Sequence, residues 1–292
     1  MHDVWDLSYP GTAIQFGPIG SVAQIVGPVD MGSIEVRSGD TDRPRSDGVD
    51  FGLDYLGGRT ITFEGLGLVA DNEHDAVAKL RTLRRVWRAD YLRAGPGRVA
   101  ALASYPAGNE RIVYGRPRRF SFDDKFVDQG VIFVLADFAC VDDCFYGPVE
   151  TRSTRLVSAP GGGFTVPFET PVLTAARTTR EHSISVAGDA PAWPVVTIWG
   201  PISNPYVRLV NRWTIGLTAS LGAGEHVVID TRPWRRTVLR NGTSSMAGAL
   251  TRSTWLSDSS IPPGNHEINL GGTDPTGTSA MAFTWQPTYT SL

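Results

Sequence analysis

Hydrophobic and polar residues alternate in the stretch RTITFE, where Ile61 and Phe63 point to one side and the polar residues to the other. This period of two predicts a half-buried β-strand. A long polar, acidic and glycine-containing loop, residues 38–58, precedes the strand. Loops of this length without secondary structure are uncommon and are usually functional or mobile. Because the loop carries no catalytic pattern, we expect it to act in an interaction.

A period of 3.6 residues follows in ADNEHDAVAKLRTLRRVWRADYLRAG. Asp71 is the expected N-cap, acidic residues occupy the first turn, and arginines occupy the later turns, as the helix dipole favours. Gly95–Pro96 is expected to end the helix. The sequence therefore predicts one long helix, whose apolar stripe consists of Val77, Leu80, Leu83 and Trp87.

Three strands are expected after the helix: RIVYG (111–115), FSFDD (120–124) and VIFVLADF (131–138). The last of these is apolar on both faces, which predicts a central strand. From residue 147 to 163 the chain becomes polar and then glycine-rich, ending at Gly161–Gly163. We therefore expect a domain boundary near Gly147, with domains at 1–147 and 148–292 and a Gly-rich entry segment to the second.

Turn residues interrupt the second half about every ten positions, and Asn241–Gly242 is a strong hairpin signal. Short strands at this spacing predict a β-sandwich. The candidate strands are SISVAG (183–188), PVVTIWG (194–200), RWTIGL (212–217), HVVIDT (226–231), TVLRNG (237–242), HEINLGG (266–272) and AMAFTWQP (280–287).

Length and charge narrow the class of protein. A chain of 292 residues corresponds to about two domains. The net charge of −3 divides into −5 for residues 1–147 and +2 for residues 148–292. Neither half is basic enough to indicate a nucleic-acid binder. The sequence shows neither an apolar run of membrane-spanning length nor a signal-peptide pattern at its start, so we expect a soluble protein made in a cytoplasm.

No enzyme motif is present: the phosphate-binding loop and the nucleophile elbow are absent, and His266–Glu267 lacks the second histidine of a zinc helix. The acidic run Asp71–Asp75 lacks the glycine and the later glutamate of a calcium loop, and helix capping explains it better. We expect no catalytic residues, cofactor or metal. Glycoside hydrolysis by paired carboxylates stays a third alternative. Cys140 and Cys144 are expected to be ordinary thiols, with a local disulfide as the alternative.

Six of the eight tryptophans lie in the second half. Tryptophans usually fill the core of a sandwich, but an exposed one can stack on a sugar ring. Trp234 is the best candidate for such stacking, because it lies in the arginine-rich turn TRPWRR with Arg235 and Arg236.

Two stretches together resemble a known family. The first is SGDTDRPRSDGVDFGLDYLGGRTITFEG with the helix ending in LRRVWRADYLR. The second is GDAPAWPVVTIWGPISNP followed by LGAGEHVVIDT, TVLRNG and IPPGNHEINLGG. Their order is similar to that of the distal tail proteins (Dit, or minor tail proteins) of long-tailed phages, particularly phages of actinobacterial hosts. The resemblance covers nearly the whole chain.

This resemblance implies a mainly β protein with an N-terminal split β-barrel, one α-helix beside it, and a C-terminal galectin-like β-sandwich. It implies a non-enzymatic hub of the virion tail tip, in which N-terminal domains form a hexameric ring that continues the tail tube. The sandwiches would hold tail-tip and receptor-binding proteins, and genomic DNA would pass through the lumen without specific binding.

Within this interpretation, the loop at 38–58 reaches over the neighbouring subunit and closes the ring, because rotational symmetry requires a head-to-tail contact. The residues expected to pair across that contact are Asp40, Asp42, Arg43, Arg45, Asp47 and Asp50. The alternative is a carbohydrate-binding module that contacts the host envelope through Trp234, Arg235 and Arg236.

Overall fold

The computed structural model describes residues 4–156, 182–253, 255–274 and 276–292. The glycines at 161–163, expected to form the entry segment, lie outside these ranges. The chain divides into two compact units, one of Met1–Pro148 with Tyr289–Leu292 and one of Val149–Thr288.

The first unit is built on one large antiparallel sheet, in the order β2-β1-β10-β11-β12-β9-β3. Strand β4 also pairs with β9, and β13 pairs with β11. The strands of this unit are β1 (Trp5–Tyr9), β2 (Thr12–Phe16), β3 (Gln24–Ile25), β4 (Val29–Asp30), β5 (Val36–Arg37), β6 (Thr41–Asp42), β7 (Val49–Asp50), β8 (Tyr55–Leu56), β9 (Thr60–Val69), β10 (Ala100–Ser104), β11 (Arg111–Asp123), β12 (Val131–Cys140) and β13 (Phe145–Tyr146).

Strand β12 lies between β11 and β9, as its apolar sequence predicts. Its two faces differ in burial, because Ile132 and Val134 point into the core while Phe133 is exposed. The two strands predicted at 111–115 and 120–124 are one strand, β11, which has a bulge between Pro117 and Phe120. A bulge lets one strand continue through an irregular stretch while its partner remains regular.

Helix α1 (Glu73–Arg88) covers the inner face of the sheet and buries Leu83, Val86 and Trp87. The expected cap at Asp71 is wrong by one residue: the side chain of Asn72 accepts a hydrogen bond from the backbone N–H of Asp75 at 2.9 Å. The helix also ends before Gly95, because Ala89 takes a left-handed conformation (φ 49°). A short helix, α2 (Asp90–Arg93), follows.

Aromatic side chains fill the centre of the first core. The rings of Trp5 and Phe63 meet edge to face at 5.1 Å, and those of Phe16 and Phe63 do so at 5.2 Å. Trp87 of α1 contacts both phenylalanines from the other side. Such edge-to-face pairs add to the gain from burial. These ring contacts hold helix α1 against the sheet, and one of them is made to Phe63 of the alternating strand β9.

The second unit is a sandwich of two antiparallel sheets, β14-β24-β16-β20-β21-β22 and β15-β23-β17-β18, with β19 beside β17. Its core lies between the sheets and includes the stacked rings of Trp213 and Phe283. Its strands are β14 (Glu150–Arg155), β15 (His182–Val186), β16 (Val195–Trp199), β17 (Ile202–Leu209), β18 (Trp213–Gly216), β19 (Ser220–Leu221), β20 (His226–Asp230), β21 (Thr237–Arg240), β22 (Ser244–Ser245), β23 (Gly264–Thr273) and β24 (Ala280–Trp285). The last strand of the chain, β25 (Thr288–Tyr289), is part of the large sheet.

The seven strands predicted in residues 148–292 all form, together with five that were not expected: the longer strands β14 and β17 and the two-residue strands β19, β22 and β25. Strand β14 has the polar sequence ETRSTR and pairs with β24 at the edge of its sheet. Strand β17 contains Pro205, which falls where the pairing with β23 is irregular, between Ser203 and Tyr206. The sequence of β14 contains no apolar residue, and in β17 only Val207 and Leu209, on either side of Arg208, alternate as a strand usually does.

Short 3-10 turns connect several of these elements, at Pro106–Gly108, Val127–Gln129, Ala247–Ala249 and Leu256–Asp258. Across the described ranges, no helix has both the length and the apolar character needed to cross a membrane. The predicted mainly β fold class, with one long helix, is confirmed.

Candidate assembly surface

Residues 36–56, called the arm below, form a β-hairpin instead of an irregular loop. Strand β5 pairs with β8 at its base, and β6 pairs with β7 nearer its tip. Between these ladders, the backbone N–H of Gly39 donates to the carbonyl of Leu53 at 3.2 Å. All side chains of the arm are exposed. The predicted interaction loop is therefore a projecting hairpin with its own hydrogen bonds.

Two glycines let the strands of the arm cross closely. A Cβ atom on Gly52 would lie 2.2 Å from the carbonyl oxygen of Gly39, which is closer than any side chain permits. At the tip, Gly48 has φ +107°, a conformation that other residues rarely adopt. The glycines that made this segment look like a loop are thus the residues that allow the hairpin.

The six residues expected at a subunit interface all lie on the arm, and three of them make contacts within it. Arg43 forms an ion pair with Asp50 at 2.9 Å. Asp40 accepts a hydrogen bond from the backbone N–H of Gly52, also at 2.9 Å. Asp42, Arg45 and Asp47 are exposed near the tip.

The arm also presents apolar side chains that the sequence interpretation missed. Phe51 is 90% exposed and Leu53 is 75% exposed, and Tyr55 and Val49 are exposed as well. They occupy every second position in VDFGLDY, so the signal was an alternation of apolar residues with aspartates and glycine. Exposed apolar groups that lie together usually mark an interaction surface.

The root of the arm is locked to the turn that follows β12. A Cβ atom on Gly58 would lie 2.2 Å from the carbonyl oxygen of Cys140, so only glycine fits there. The backbone N–H of Cys140 donates to the carbonyl of Arg59 at 2.9 Å. The buried guanidinium of Arg59 bonds the carbonyl of Asp143 and lies 4.5 Å from the ring centroid of Phe145. This anchor fixes the point from which the arm leaves the sheet.

Burial and nearby carboxylates perturb the titratable groups at this anchor. Burial raises the pKa of Cys140 to about 12 and that of Cys144 to about 12, with Asp142 adding to both effects. Burial also raises the pKa of Asp142, although the Tyr146 hydroxyl donates to its carboxylate at 2.6 Å and opposes the shift. Both cysteines are free. The cluster is suited to a structural role, because thiols with a raised pKa are poor nucleophiles.

The candidate sugar-contact residues Trp234, Arg235 and Arg236 lie in the turn that follows β20, which ends at the buried Asp230. Arg232 makes a two-pronged ion pair with this buried carboxylate, at 2.9 and 2.6 Å, and its guanidinium lies 5.8 Å from the ring centroid of Trp234. Arg235 approaches Asp230 at 3.7 Å, and Arg236 is exposed. Trp234 itself is half-buried.

A different tryptophan offers more open surface. Trp255 is 76% exposed, whereas Trp213 and Trp285 are buried in the sandwich core. Sequence reasoning did not single out Trp255, because the segment STWLSD has no arginine-rich turn or strand pattern around it. The described residues contain no group of three or more His, Cys, Asp or Glu side chains that could hold a metal ion.

Solved structures with the same fold are hub and baseplate proteins of phages. The chain is similar to the Dit protein of phage SPP1, a paradigm of the hub adsorption apparatus in phages that infect Gram-positive bacteria, with 16% identity and a TM-score of 0.55 over 96% of this chain and 98% of that one. It is also similar to a chain of the phage P2 baseplate in its activated conformation with calcium, with 10% identity and a TM-score of 0.59 over 96% and 97% of the two chains.

The same baseplate with strontium gives 9% identity and a TM-score of 0.58. No protein-family model and no curated protein matches the chain. The protein therefore has the fold of phage tail hub proteins. More particularly, its fold is Dit-like over almost its entire length.

Proposed function

We propose that the protein is a structural hub of the tail tip of a long-tailed phage. In this proposal the first units of six copies form a ring that continues the tail tube, and the sandwich units hold tip and receptor-binding proteins. The protein acts by assembly and not by catalysis, and its place is the virion. DNA passes through the ring without specific binding, which the net charge of −5 in residues 1–147 favours.

The observation that carries this proposal is the arm, a projecting hairpin with exposed Phe51, Leu53 and Tyr55 on a Dit-like fold. A cyclic ring requires each copy to present one surface to a different surface on its neighbour. A hairpin anchored at Gly58 and Arg59 is a suitable element for such reach. Apolar side chains supply most of the contact in this proposal, and the polar residues of the tip, including Asp42, Arg45 and Asp47, flank it.

Negative-stain electron microscopy, with the mass fixed by light scattering, tests the proposal. The expected result is rings with an open centre and the mass of six chains. If the purified chain is monomeric, the measurement is repeated with tail tube and tip proteins added. A chain that forms no ring under either condition would overturn the proposal.

The exposed indole of Trp255 favours a second candidate function, carbohydrate binding by the sandwich unit. An exposed tryptophan ring can stack on a sugar, and Arg252, three residues earlier in the sequence, is also exposed. A glycan array probed with wild type, Trp255→Ala and Trp234→Ala tests this second function. Saturable binding that one substitution removes supports this function, and the absence of binding by wild type rejects it.

A further inference from the structure

If the first units assemble head to tail as proposed, each copy must carry a second surface that receives its neighbour's arm. The candidate for that surface is the outer face of the large sheet, which is the face turned away from the core. That face carries exposed Val26, Val69, Phe126 and Phe133 with half-buried Leu135 among them, here called the outer-face patch. Together with the arm, it accounts for most of the exposed large apolar side chains among the described residues of the first unit.

The outer-face patch is continuous across two strands. Phe133 of β12 lies opposite Gly67 of β9, and Val131 lies opposite Val69. Val26 covers Gly67 from the other side, with its Cγ1 3.1 Å from where a Cβ atom on that glycine would stand. The ring of Phe126 meets that of Phe133 edge to face at 6.4 Å. Val26 therefore fills the space above the buried Gly67 and lies next to Phe133 in the patch.

Acidic groups border one side of this patch. Asp123 lies directly opposite Phe133 in the β11–β12 ladder, which places both on the same face of the sheet. Glu64, Asp123, Phe133 and Leu135 line a groove of about 250 Å³. A cation is also present, since the Nζ of Lys125 lies 5.6 Å from the ring centroid of Phe126. The groove thus combines apolar walls with two carboxylates.

One face of the arm has the complementary composition. Arg37 lies directly opposite Tyr55 in the β5–β8 ladder, so these two side chains also share a face. Arg37, Leu53 and Tyr55 line a groove of about 360 Å³ on that face. The arm therefore offers apolar groups with an arginine, where the patch offers apolar groups with acids.

We propose that the Arg37, Leu53 and Tyr55 face of one copy's arm packs on the outer-face patch of the next copy. Leu53 and Tyr55 contact Phe133 and Leu135, and Arg37 pairs with Glu64 or Asp123. The occupant is a second copy of this chain, because a head-to-tail interface requires two unlike, complementary surfaces on one molecule. The two surfaces match in both apolar character and charge, and each would otherwise remain an exposed apolar area.

Charge reversal tests this pairing. Sedimentation equilibrium is measured for wild type, Arg37→Glu, Glu64→Arg and the double variant carrying both changes. Each single reversal places like charges together and should weaken association at least about tenfold, and the double variant should recover it to within about threefold. Glu64 is chosen over Asp123, because Asp123 also accepts a hydrogen bond from the backbone N–H of Lys125. Arg81→Glu, an exposed reversal on α1, is the control.

A cross-linking experiment gives an independent measurement. Chains with Tyr55→Cys are mixed with chains with Phe133→Cys and treated with a short bis-maleimide, and a covalent dimer between the two variants is expected. No such dimer, together with unchanged association of the single charge variants, overturns this inference while leaving wild-type rings and the hub function intact. A wild type that forms no ring, alone or with tail tube and tip proteins, overturns the hub function itself.

Discussion

Arg43 and Asp50 form an ion pair across the arm, with 2.9 Å between the Nε and Oδ1 atoms. Asp50 lies opposite Thr41 in the β6–β7 ladder, so Arg43 reaches it diagonally across the hairpin, and the two side chains are 48% and 69% exposed. Each of these two side chains therefore already has an ionic partner within its own chain, before any second copy is present.

Removal of this ion pair should have little effect. Exposed salt bridges contribute about 0.2–1 kcal/mol, so Asp50→Asn should lower the free energy of unfolding by less than about 1 kcal/mol. Ring mass should stay the same, because the apolar face of the arm is intact. Urea unfolding and light scattering measure the two quantities. Loss of rings in Asp50→Asn would show that the polar residues of the arm carry the interface.

Substitution of Phe51 should separate assembly from folding. Because its side chain is 90% exposed, Phe51→Ser should change the free energy of unfolding by no more than about 0.5 kcal/mol. Ring formation should be lost or strongly weakened, as seen by electron microscopy and light scattering.

Ile19→Ser provides the matched control for this prediction. Ile19 is 93% exposed in the same unit but lies outside the arm. The control should keep both its stability and its rings. If Phe51→Ser assembles as well as Ile19→Ser, the apolar side chain at position 51 has no part in the interface.

The two cysteines should react slowly in the folded protein. Since burial raises the pKa of each thiol to about 12, few thiolates are present near pH 8. Alkylation by iodoacetamide should be at least about a hundredfold slower than in the urea-unfolded chain, where the thiol pKa is about 8.5. Mass spectrometry measures both rates. Equal rates would mean that the turn around Asp142 opens freely in solution.

Tyr105 should ionise only at high pH. Its hydroxyl donates to the Asp6 carboxylate at 2.8 Å, and this hydrogen bond is the main cause that raises its pKa to about 12. Between about pH 10 and 12 the folded protein keeps a proton that the unfolded chain loses. The hydrogen bond from Tyr105 to Asp6 therefore contributes fully to the free energy of unfolding below pH 10, and this contribution is lost as the pH rises through about 12.

An absorbance titration of the phenolates in wild type and Asp6→Ala checks this shift, with Tyr105→Phe to identify the signal. In Asp6→Ala the pKa of Tyr105 should return towards about 10. An unchanged titration in that variant would assign the shift to burial instead of to the hydrogen bond.

Arg232 should matter more to stability than its neighbour Arg235. Arg232 bonds both oxygens of the buried Asp230, whereas Arg235 is more exposed and approaches only at 3.7 Å. Arg232→Ala should lower the free energy of unfolding by about 2 kcal/mol, because it leaves a buried carboxylate without its main donor. Arg235→Ala should cost less than about 1 kcal/mol. Calorimetry on both variants makes the comparison, and equal losses would contradict it.

Local patterns were enough to predict much of the fold. Ile61 and Phe63 alternate with polar residues and occupy a half-buried strand, because a period of two matches the pleat. Leu83 and Trp87 lie one turn apart and face the core. Patterns of this kind depend only on neighbours in sequence, so they can be read without the tertiary structure.

Other features depended on contacts with distant residues. The polar strand Glu150–Arg155 forms because β24 offers it an edge, and Pro205 is accepted because the pairing is irregular there. The same distinction applies to the candidate assembly surface. Its segment was predicted from the sequence, but the exposed Phe51 and the partners of Arg43 and Asp40 were not.

The sequence by itself determined a mainly β chain with one long helix and a C-terminal sandwich, and it predicted an interaction role for residues 38–58. Only the tertiary structure decided that this segment is a hairpin, because Gly39 and Gly52 permit a crossing that the sequence shows simply as two glycines. It also decided which apolar residues remain exposed. Phe133 and Phe63 are both apolar residues in central strands, and only the position of the core relative to each strand leaves one exposed and the other buried.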